Sequence, residues 1–255
     1  MTKLQWEKTG FIGGDGVLTG CDESYEWMLK WFWKHYSKTN TLPITFLDFG
    51  ISKSARIWCE KRMHVIPCRV SGTLEKDTLS FPLPNQWPKE RRELRLRQRK
   101  FWFTKICSLL KTPYSRSLWI DIDCKFLEKI NDIFDLSDNP HGIALSIDPT
   151  ALLAWKEYGL LKPNAKGYLA GFILFKRNSS LIEKWVLGCQ RKYSLEYSEQ
   201  SLINSIIEEE GLDIPLVPKK YHWLNLDVIP EGVKIVHYHC ISNKGLLINE
   251  INSTK

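Results

Sequence analysis

Trp119-Ile-Asp121-Ile-Asp123-Cys places two carboxylates two residues apart, at the end of the apolar run Ser117-Leu-Trp-Ile. A short apolar run of this kind reads as a buried strand, and ligands of open α/β sheets gather at the carboxyl ends of such strands. If the backbone stays extended, residues i and i+2 share a face. Two carboxylates on one face repel unless a cation lies between them. A hard divalent ion, held by one or two carboxylates and by substrate phosphates, meets that need. A turn or a helix cap after the strand is the plain alternative. A second segment, Val233-Lys-Ile-Val-His237-Tyr-His239, closes on two histidines. A neutral imidazole could complete the metal site, or the pair could simply pack. A zinc site from His237, His239 and Cys240 lacks a fourth ligand at a recognisable spacing.

Two further segments carry chemistry less directly. Tyr168-Leu-Ala170-Gly171-Phe-Ile-Leu-Phe reads as a buried strand holding one glycine, either a packing glycine or a mark of close backbone approach by a ligand. Glu199-Gln200-Ser-Leu-Ile-Asn204 reads as a helix start with an acidic first turn, from which Glu199 or Gln200 could face a site. Charge is localised too. The net charge is +7, from 36 basic and 29 acidic residues. The segment 89–100 holds Lys89, Arg91, Arg92, Arg95, Arg97, Arg99 and Lys100 against Glu90 and Glu93, which leaves the rest of the chain nearly neutral. That excludes a uniformly basic nucleic-acid coat and favours a local anion site or one solvated helix face.

The elements that must position these residues alternate. Val17-Leu-Thr-Gly20, Pro43–Phe49 and His64–Cys68 read as strands, with helices over Ser24–Tyr36 and Ser52–Arg62 between them. Asp22 or Ser24 is a candidate cap for the first helix and Ser52 for the second. This rhythm implies parallel strands joined by right-handed crossovers. Residues 69–88 read as a loop or insertion. The basic segment leads into a helix over Phe101–Lys111, and Ile143–Ile147 is a further strand. Leu181–Lys192 and Glu199–Glu210 are helices. At 255 residues, with 43% hydrophobic and 25% charged, the chain can bury a core without disulfides or a structural metal. Its seven scattered cysteines form no CxxC pair. The polar start Met1-Thr-Lys-Leu-Gln-Trp-Glu-Lys does not read as a secretory signal, so a cytoplasmic protein is expected. The basic segment is the feature suited to a membrane surface, and no apolar anchor accompanies it.

In this order the segments resemble those of nucleotide-sugar glycosyltransferases of the GT-A fold, closest to glycosyltransferase family 8, from about Val17 to Lys244. Leu18-Thr-Gly20-Cys21-Asp22-Glu-Ser-Tyr25 resembles the family's first strand and nucleoside-holding turn. Arg99, Lys100 and Lys105 fall where a basic residue meets the donor. Ser117-Leu-Trp-Ile-Asp121-Ile122-Asp123 resembles its DxD strand, and Leu169-Ala170-Gly171 its Asn-Ala-Gly. Glu199-Gln200-Ser-Leu-Ile-Asn resembles its Asp-Gln-x-x-x-Asn helix start, and His237-Tyr-His239-Cys-Ile-Ser-Asn-Lys244 its closing His-x-x-Gly-x-x-Lys-Pro. The departures are Leu169 for Asn, Glu199 for Asp, Cys240 for Gly, a lysine one residue late and Gly245 for Pro.

The resemblance implies one GT-A, Rossmann-like domain over residues 1–255, with a central mixed, mostly parallel sheet flanked by helices. It implies a UDP-linked or other nucleotide-sugar donor, Mn²⁺ or Mg²⁺, an acceptor that is a glycan, lipid or protein, and retention of anomeric configuration. Asp121, Asp123 and one of His237 and His239 would hold the metal. Gly20, Cys21, Asp22, Tyr25, Arg99, Lys105, Ile122, Ala170, Gly171 and Lys244 would line the donor site, and Gln200 or Glu199 would face the sugar. The Arg-rich segment suits an anionic acceptor. The competing readings are a nucleotide-sugar binding protein without transfer activity, a polyanion-binding module built on residues 89–100, and a metal-dependent nucleotidyltransferase.

Overall fold

The structure, a computed structural model, describes residue 6 and residues 10–68, 80, 83–239 and 241–253, apart from the side chains of residues 150, 151, 241 and 242. Most of the expected 69–88 loop and Cys240 therefore lie outside the described residues.

Apolar residues run unbroken through the central strands, a pattern that demands cover on both faces of a sheet. The strands are β1 (Asp15–Cys21), β2 (Ile44–Asp48), β3 (His64–Pro67), β4 (Arg116–Ile120), β5 (Cys124–Phe126), β6 (Ile143–Ile147), β7 (Tyr168–Lys176) and β8 (Ile235–His237). Six of them form a sheet in the order β3-β2-β1-β4-β7-β6, and β5 pairs with β8 in a small second sheet. Alternate residues of the large sheet serve two cores. Val17, Leu118 and Phe172 join Phe32 and Tyr36 on one face. Leu18, Trp119 and Ile173 join Trp185 and Leu202 on the other.

The helices are α1 (Leu29–Thr39), α2 (Lys53–Glu60), α3 (Lys89–Ser108), α4 (Pro149–Glu157), α5 (Ser180–Arg191), α6 (Glu199–Glu209) and α7 (Ile241–Ser253). No helix among the described residues is long and apolar enough to cross a membrane.

The expected parallel arrangement holds through β3, β2, β1 and β4. It breaks at β7, which runs antiparallel to both β4 and β6. The reversal has a use: it brings the start of β7, Leu169 to Gly171, to the edge where β4 ends. There the Asp121 N–H donates to the Gly171 carbonyl at 3.0 Å. Because β2 lies on one side of β1 and β4 on the other, the carboxyl ends of β1 and β4 flank the crevice expected at a switch point.

Other expectations need correction. Segment 89–100 and the helix after it are one continuous α3. Neither Asp22 nor Ser24 caps α1. The Asp22 carboxylate instead accepts the Ser24 N–H at 3.0 Å, closing a turn, and a 3-10 turn at Glu26–Met28 precedes α1. Ser52 does cap α2, accepting the Ala55 N–H at 3.2 Å. The elements β5, α4 and α7 are additions that the sequence reading lacks.

Candidate active site

The acidic pair lies on a turn that begins where β4 stops. Cys124 N–H donates to the Asp121 carbonyl at 3.2 Å, so the chain reverses and does not extend. This replaces the shared strand face assumed from spacing, and β5 follows directly. The pairing of β5 with β8 sets Cys124 opposite His237, and Tyr238 N–H donates to the Asp123 carbonyl at 3.0 Å. Register thus delivers His237 to the acidic turn. Its Nε2 lies 3.1 Å from Asp123 Oδ1. Burial alone would raise the Asp123 carboxyl, but His237 and Lys244 outweigh it and hold the group well below the usual carboxylate range. Lys244, from α7, is hydrogen-bonded to the other Asp123 oxygen.

Oxygen and nitrogen atoms of Asp121, Asp123 and His237 lie within 4.8 Å of one another. Two carboxylates and an imidazole suit Mn²⁺ or Mg²⁺ in the presence of phosphate oxygens. Gly171 keeps this space open: a Cβ there would meet Asp121 Oδ2 at 2.8 Å and His237 Cε1 at 3.0 Å. Both observations fit a divalent ion. Geometry also separates the histidines. His237 joins the cluster, whereas His239 lies past the end of β8 with its ring 5.1 Å from that of His237. Cys124, His222 and His237 form a second possible grouping. It is wholly buried, burial pushes the Cys124 thiol far up, and neither Cys124 nor His222 lines the cleft.

His222 has no signal in the sequence, being a lone histidine outside the strands and helices read there. Its Nε2 lies 2.7 Å from His237 Nδ1, and burial followed by the neighbouring His237 and His239 pushes its pKa well down. A neutral His222 can accept a hydrogen bond from His237 Nδ1–H, and in that tautomer His237 Nε2 presents its lone pair to a cation. In that tautomer the His222 proton is on Nδ1, the buried nitrogen without a partner among the described residues.

Lys105, from α3, organises the opposite wall. It is buried, donates to the Ala170 carbonyl at 2.9 Å, and lies 3.0 Å from Glu199 Oε1 and 3.7 Å from Asp121 Oδ1. Burial lowers its pKa, but Asp121 and Glu199 more than compensate and hold the ammonium above its ordinary range. Trp119 Nε1–H donates to Asp121 Oδ1 at 2.9 Å. Gln200 is fixed by the Ala170 N–H, which donates to its Oε1 at 3.3 Å. A capping box between Ser198 and Ser201 starts α6 and holds Glu199 and Gln200 at that edge.

Around these groups opens a cleft of about 490 Å³, the size of an ordinary small-molecule site. It brings together Gly20, Cys21, Asp22, Tyr25, Lys105, Asp121, Ile122, Asp123, Gly171, Glu199, Gln200, His237, His239 and Lys244. Two expected donor contacts differ. Arg99 is fully buried, and its guanidinium donates to the Tyr193, Glu196 and Tyr197 carbonyls, so it fixes the loop before α6 and does not line the cleft. Ala170 acts through its backbone alone. The sequence reading missed Gln98, which donates to Tyr25 Oη at 2.9 Å, and the aromatic lining residues Trp102, Trp155 and Tyr197. Helical spacing from Lys105 back through Trp102 and Gln98 was the available signal.

No protein-family model and no curated protein matches the chain. Solved structures do. A galactosyltransferase, LgtC, in complex with donor and acceptor sugar analogues is 18% identical, with 89% of this chain and 88% of that chain covered and a TM-score of 0.54. Mouse xyloside xylosyltransferase 1 is 13% identical over 89% of this chain and 98% of that chain, with a TM-score of 0.56. The glycosyltransferase GlyE of Streptococcus pneumoniae is 15% identical over 89% of this chain and 55% of that one, with a TM-score of 0.58. At these identities the likeness is one of fold. The chain has the mixed α/β fold of these glycosyltransferases, the GT-A fold.

Proposed function

We propose that this chain is a metal-dependent glycosyltransferase that moves a sugar from a nucleotide-diphosphate donor, a UDP-sugar, to an acceptor hydroxyl with retention. The observation that carries the reading is the Asp121–Asp123–His237 cluster, at the switch-point edge of a GT-A fold. Asp121, Asp123 and His237 would hold Mn²⁺ or Mg²⁺. The bound ion supplies Lewis-acid stabilisation of charge developing on the leaving diphosphate.

The chain's own groups do the rest. Lys244, reaching from α7 to Asp123, adds positive charge beside the leaving group. The turn of Asp22 and Tyr25 faces the nucleoside, with the Tyr25 hydroxyl held by Gln98. Lys105 fixes Glu199 and Asp121 in place and shares its single positive charge between them, with Glu199 the nearer partner. That leaves Gln200 as the side-chain dipole presented to the sugar as it becomes oxocarbenium-like, and gives Glu199 a positioning role. His222 accepts a hydrogen bond from His237 Nδ1–H and so orients that ring.

Leu169 lines the cleft where the family has a polar side chain, and this favours, as a second reading, donor binding without transfer. Incubation with a panel of UDP-, GDP- and CMP-sugars, Mn²⁺ and candidate acceptors decides. Release of UDP with a glycosylated product supports transfer. Binding without release supports the second reading, and release of pyrophosphate in a parallel incubation with a nucleoside triphosphate and a sugar 1-phosphate would identify a nucleotidyltransferase.

A further inference from the structure

The outer half of the cleft is built differently from the acidic inner end. Arg91, Arg95, Gln98, Trp102 and Lys105 follow one another at helical spacing along α3, and all line the cleft. Over much of the surface, cations face carboxylates: Lys162 and Lys192 on Glu209, Lys184 on Glu210, Lys176 and Arg116 on Asp138, Lys234 on Asp132. On α3 itself Lys105 is paired with Glu199, and Arg99 is engaged by carbonyls. Arg91, Arg95 and Arg97 line the cleft, and none of them has a carboxylate partner among the described residues.

These arginines are also organised. The Arg91 guanidinium lies 4.2 Å from the Trp87 ring centroid, and that of Arg95 lies 5.6 Å from Trp102. A guanidinium held over an aromatic face by the ring quadrupole keeps N–H groups for a planar or tetrahedral oxyanion. Arg95 donates through Nη1 to Gln98 at 3.1 Å, while its Nε is buried with no hydrogen-bond partner among the described residues. A buried guanidinium N–H without an acceptor is unfavourable, and a small shift of the Arg95 side chain toward an incoming oxyanion would satisfy it. The rings of Trp87, Trp102 and Tyr197 meet edge to face at centroid distances of 5.8 and 6.0 Å, and Trp155 also lines the cleft. Aromatic side chains beside cations are the lining that holds a sugar ring and its negative substituent together.

The geometry points to an acidic glycan as the acceptor: a sugar bearing a carboxylate or phosphate, with its oxyanion on Arg91 and Arg95 and its ring against the aromatic wall. This names the acceptor class for the transfer proposed above, and the word acceptor rests on that reading. The inner cations are already committed to Asp123, Asp121 and Glu199, so discrimination between acidic and neutral sugars falls to the arginines.

The test uses the full chain with Mg²⁺ and saturating UDP, whose binding is checked first by thermal shift. Methyl β-D-glucuronide, glucose 6-phosphate and methyl β-D-glucoside are then titrated by saturation-transfer NMR. At least tenfold tighter binding of one acidic sugar over the glucoside is expected. That preference is lost in Arg91→Gln/Arg95→Gln and partly retained in Arg91→Lys/Arg95→Lys, which keeps the charge without the forked geometry. Equal binding of acidic and neutral sugars, or a preference that survives Arg91→Gln/Arg95→Gln, overturns the inference. So does loss of UDP binding in that variant, which would assign the arginines to the donor. Arginine-dependent pelleting with phosphatidylglycerol vesicles without any sugar preference would also overturn it, by assigning the stripe to a membrane. Absence of nucleotide binding by the unaltered chain, with the arginine-dependent sugar preference intact, would remove the donor reading and leave an acidic-glycan site.

Discussion

Gly171→Ala perturbs the proposed metal site by a single methyl group. The backbone at Gly171 lies outside the left-handed region, so alanine introduces no φ strain. The new Cβ would stand 2.8 Å from Asp121 Oδ2, where ordinary contact begins at 3.4 Å. Asp121 must therefore retreat by about 0.6 Å, against a latitude of about 0.2 Å for metal–ligand distances. His237, at 3.0 Å on the other side, must give as well. The Asp121 side chain is 32% exposed and can swing toward solvent, which keeps the loss of fold stability to about 1–2 kcal/mol. Displacement of one ligand should lower affinity for Mn²⁺ in the presence of UDP by about 10–100-fold. Isothermal titration of Mn²⁺ into protein with UDP reads this directly. Gly188→Ala is the control: its Cβ would meet the Leu202 side chain at 3.1 Å, within the core and away from the cleft, so it should keep Mn²⁺ affinity whatever it does to stability. Unchanged Mn²⁺ affinity in Gly171→Ala would refute the placement of the ion between Asp121 and His237.

Two further outcomes follow from the buried charges. Lys105→Met strips Asp121 and Glu199 of a buried cation, and should destabilise the chain by about 3 kcal/mol or more in urea unfolding; a loss below about 1 kcal/mol would show that the pair is not held by this charge. Glu196→Gln should raise the melting temperature at pH 7 and leave it unchanged at pH 4. Burial raises the Glu196 pKa above its ordinary 4.5, despite the Ser201 hydroxyl it accepts. The wild-type carboxyl is then fully compatible with the fold below pH 4.5, and stability is lost as pH rises through its higher folded value. An effect of equal size at both pH values would contradict that account.

Much of the positioning framework was legible in the sequence because it rests on unbroken apolar strands and a few local signals. The strands at Val17, Pro43 and Ser117, the Ser52 cap and the helix starting at Glu199 needed no long-range information. The reversal of β7 did, since a buried strand reads the same in either direction. The turn at Asp121 and Asp123 was hidden for a related reason: spacing fixes how far apart two carboxylates are along the chain, and the backbone path between them depends on β5 finding β8. Arg99 and Arg95 show the limit most plainly. Both belong to one basic segment, yet packing buries Arg99 against carbonyls of the loop before α6 and leaves Arg95 at the cleft. His222 acquires significance only from its contact with His237, 15 residues away.

The most direct test of the central claim is thermal stabilisation by UDP, GDP and CMP, each with and without Mn²⁺, in the unaltered chain and in Asp123→Ala. At about 100 times its dissociation constant a nucleotide adds about 2.7 kcal/mol, which for a chain of this size raises the melting temperature by about 5–10 °C. The account predicts such a rise with UDP, dependent on Mn²⁺ and abolished in Asp123→Ala. A rise indifferent to Mn²⁺ and to Asp123, or no rise with any nucleotide, would contradict it.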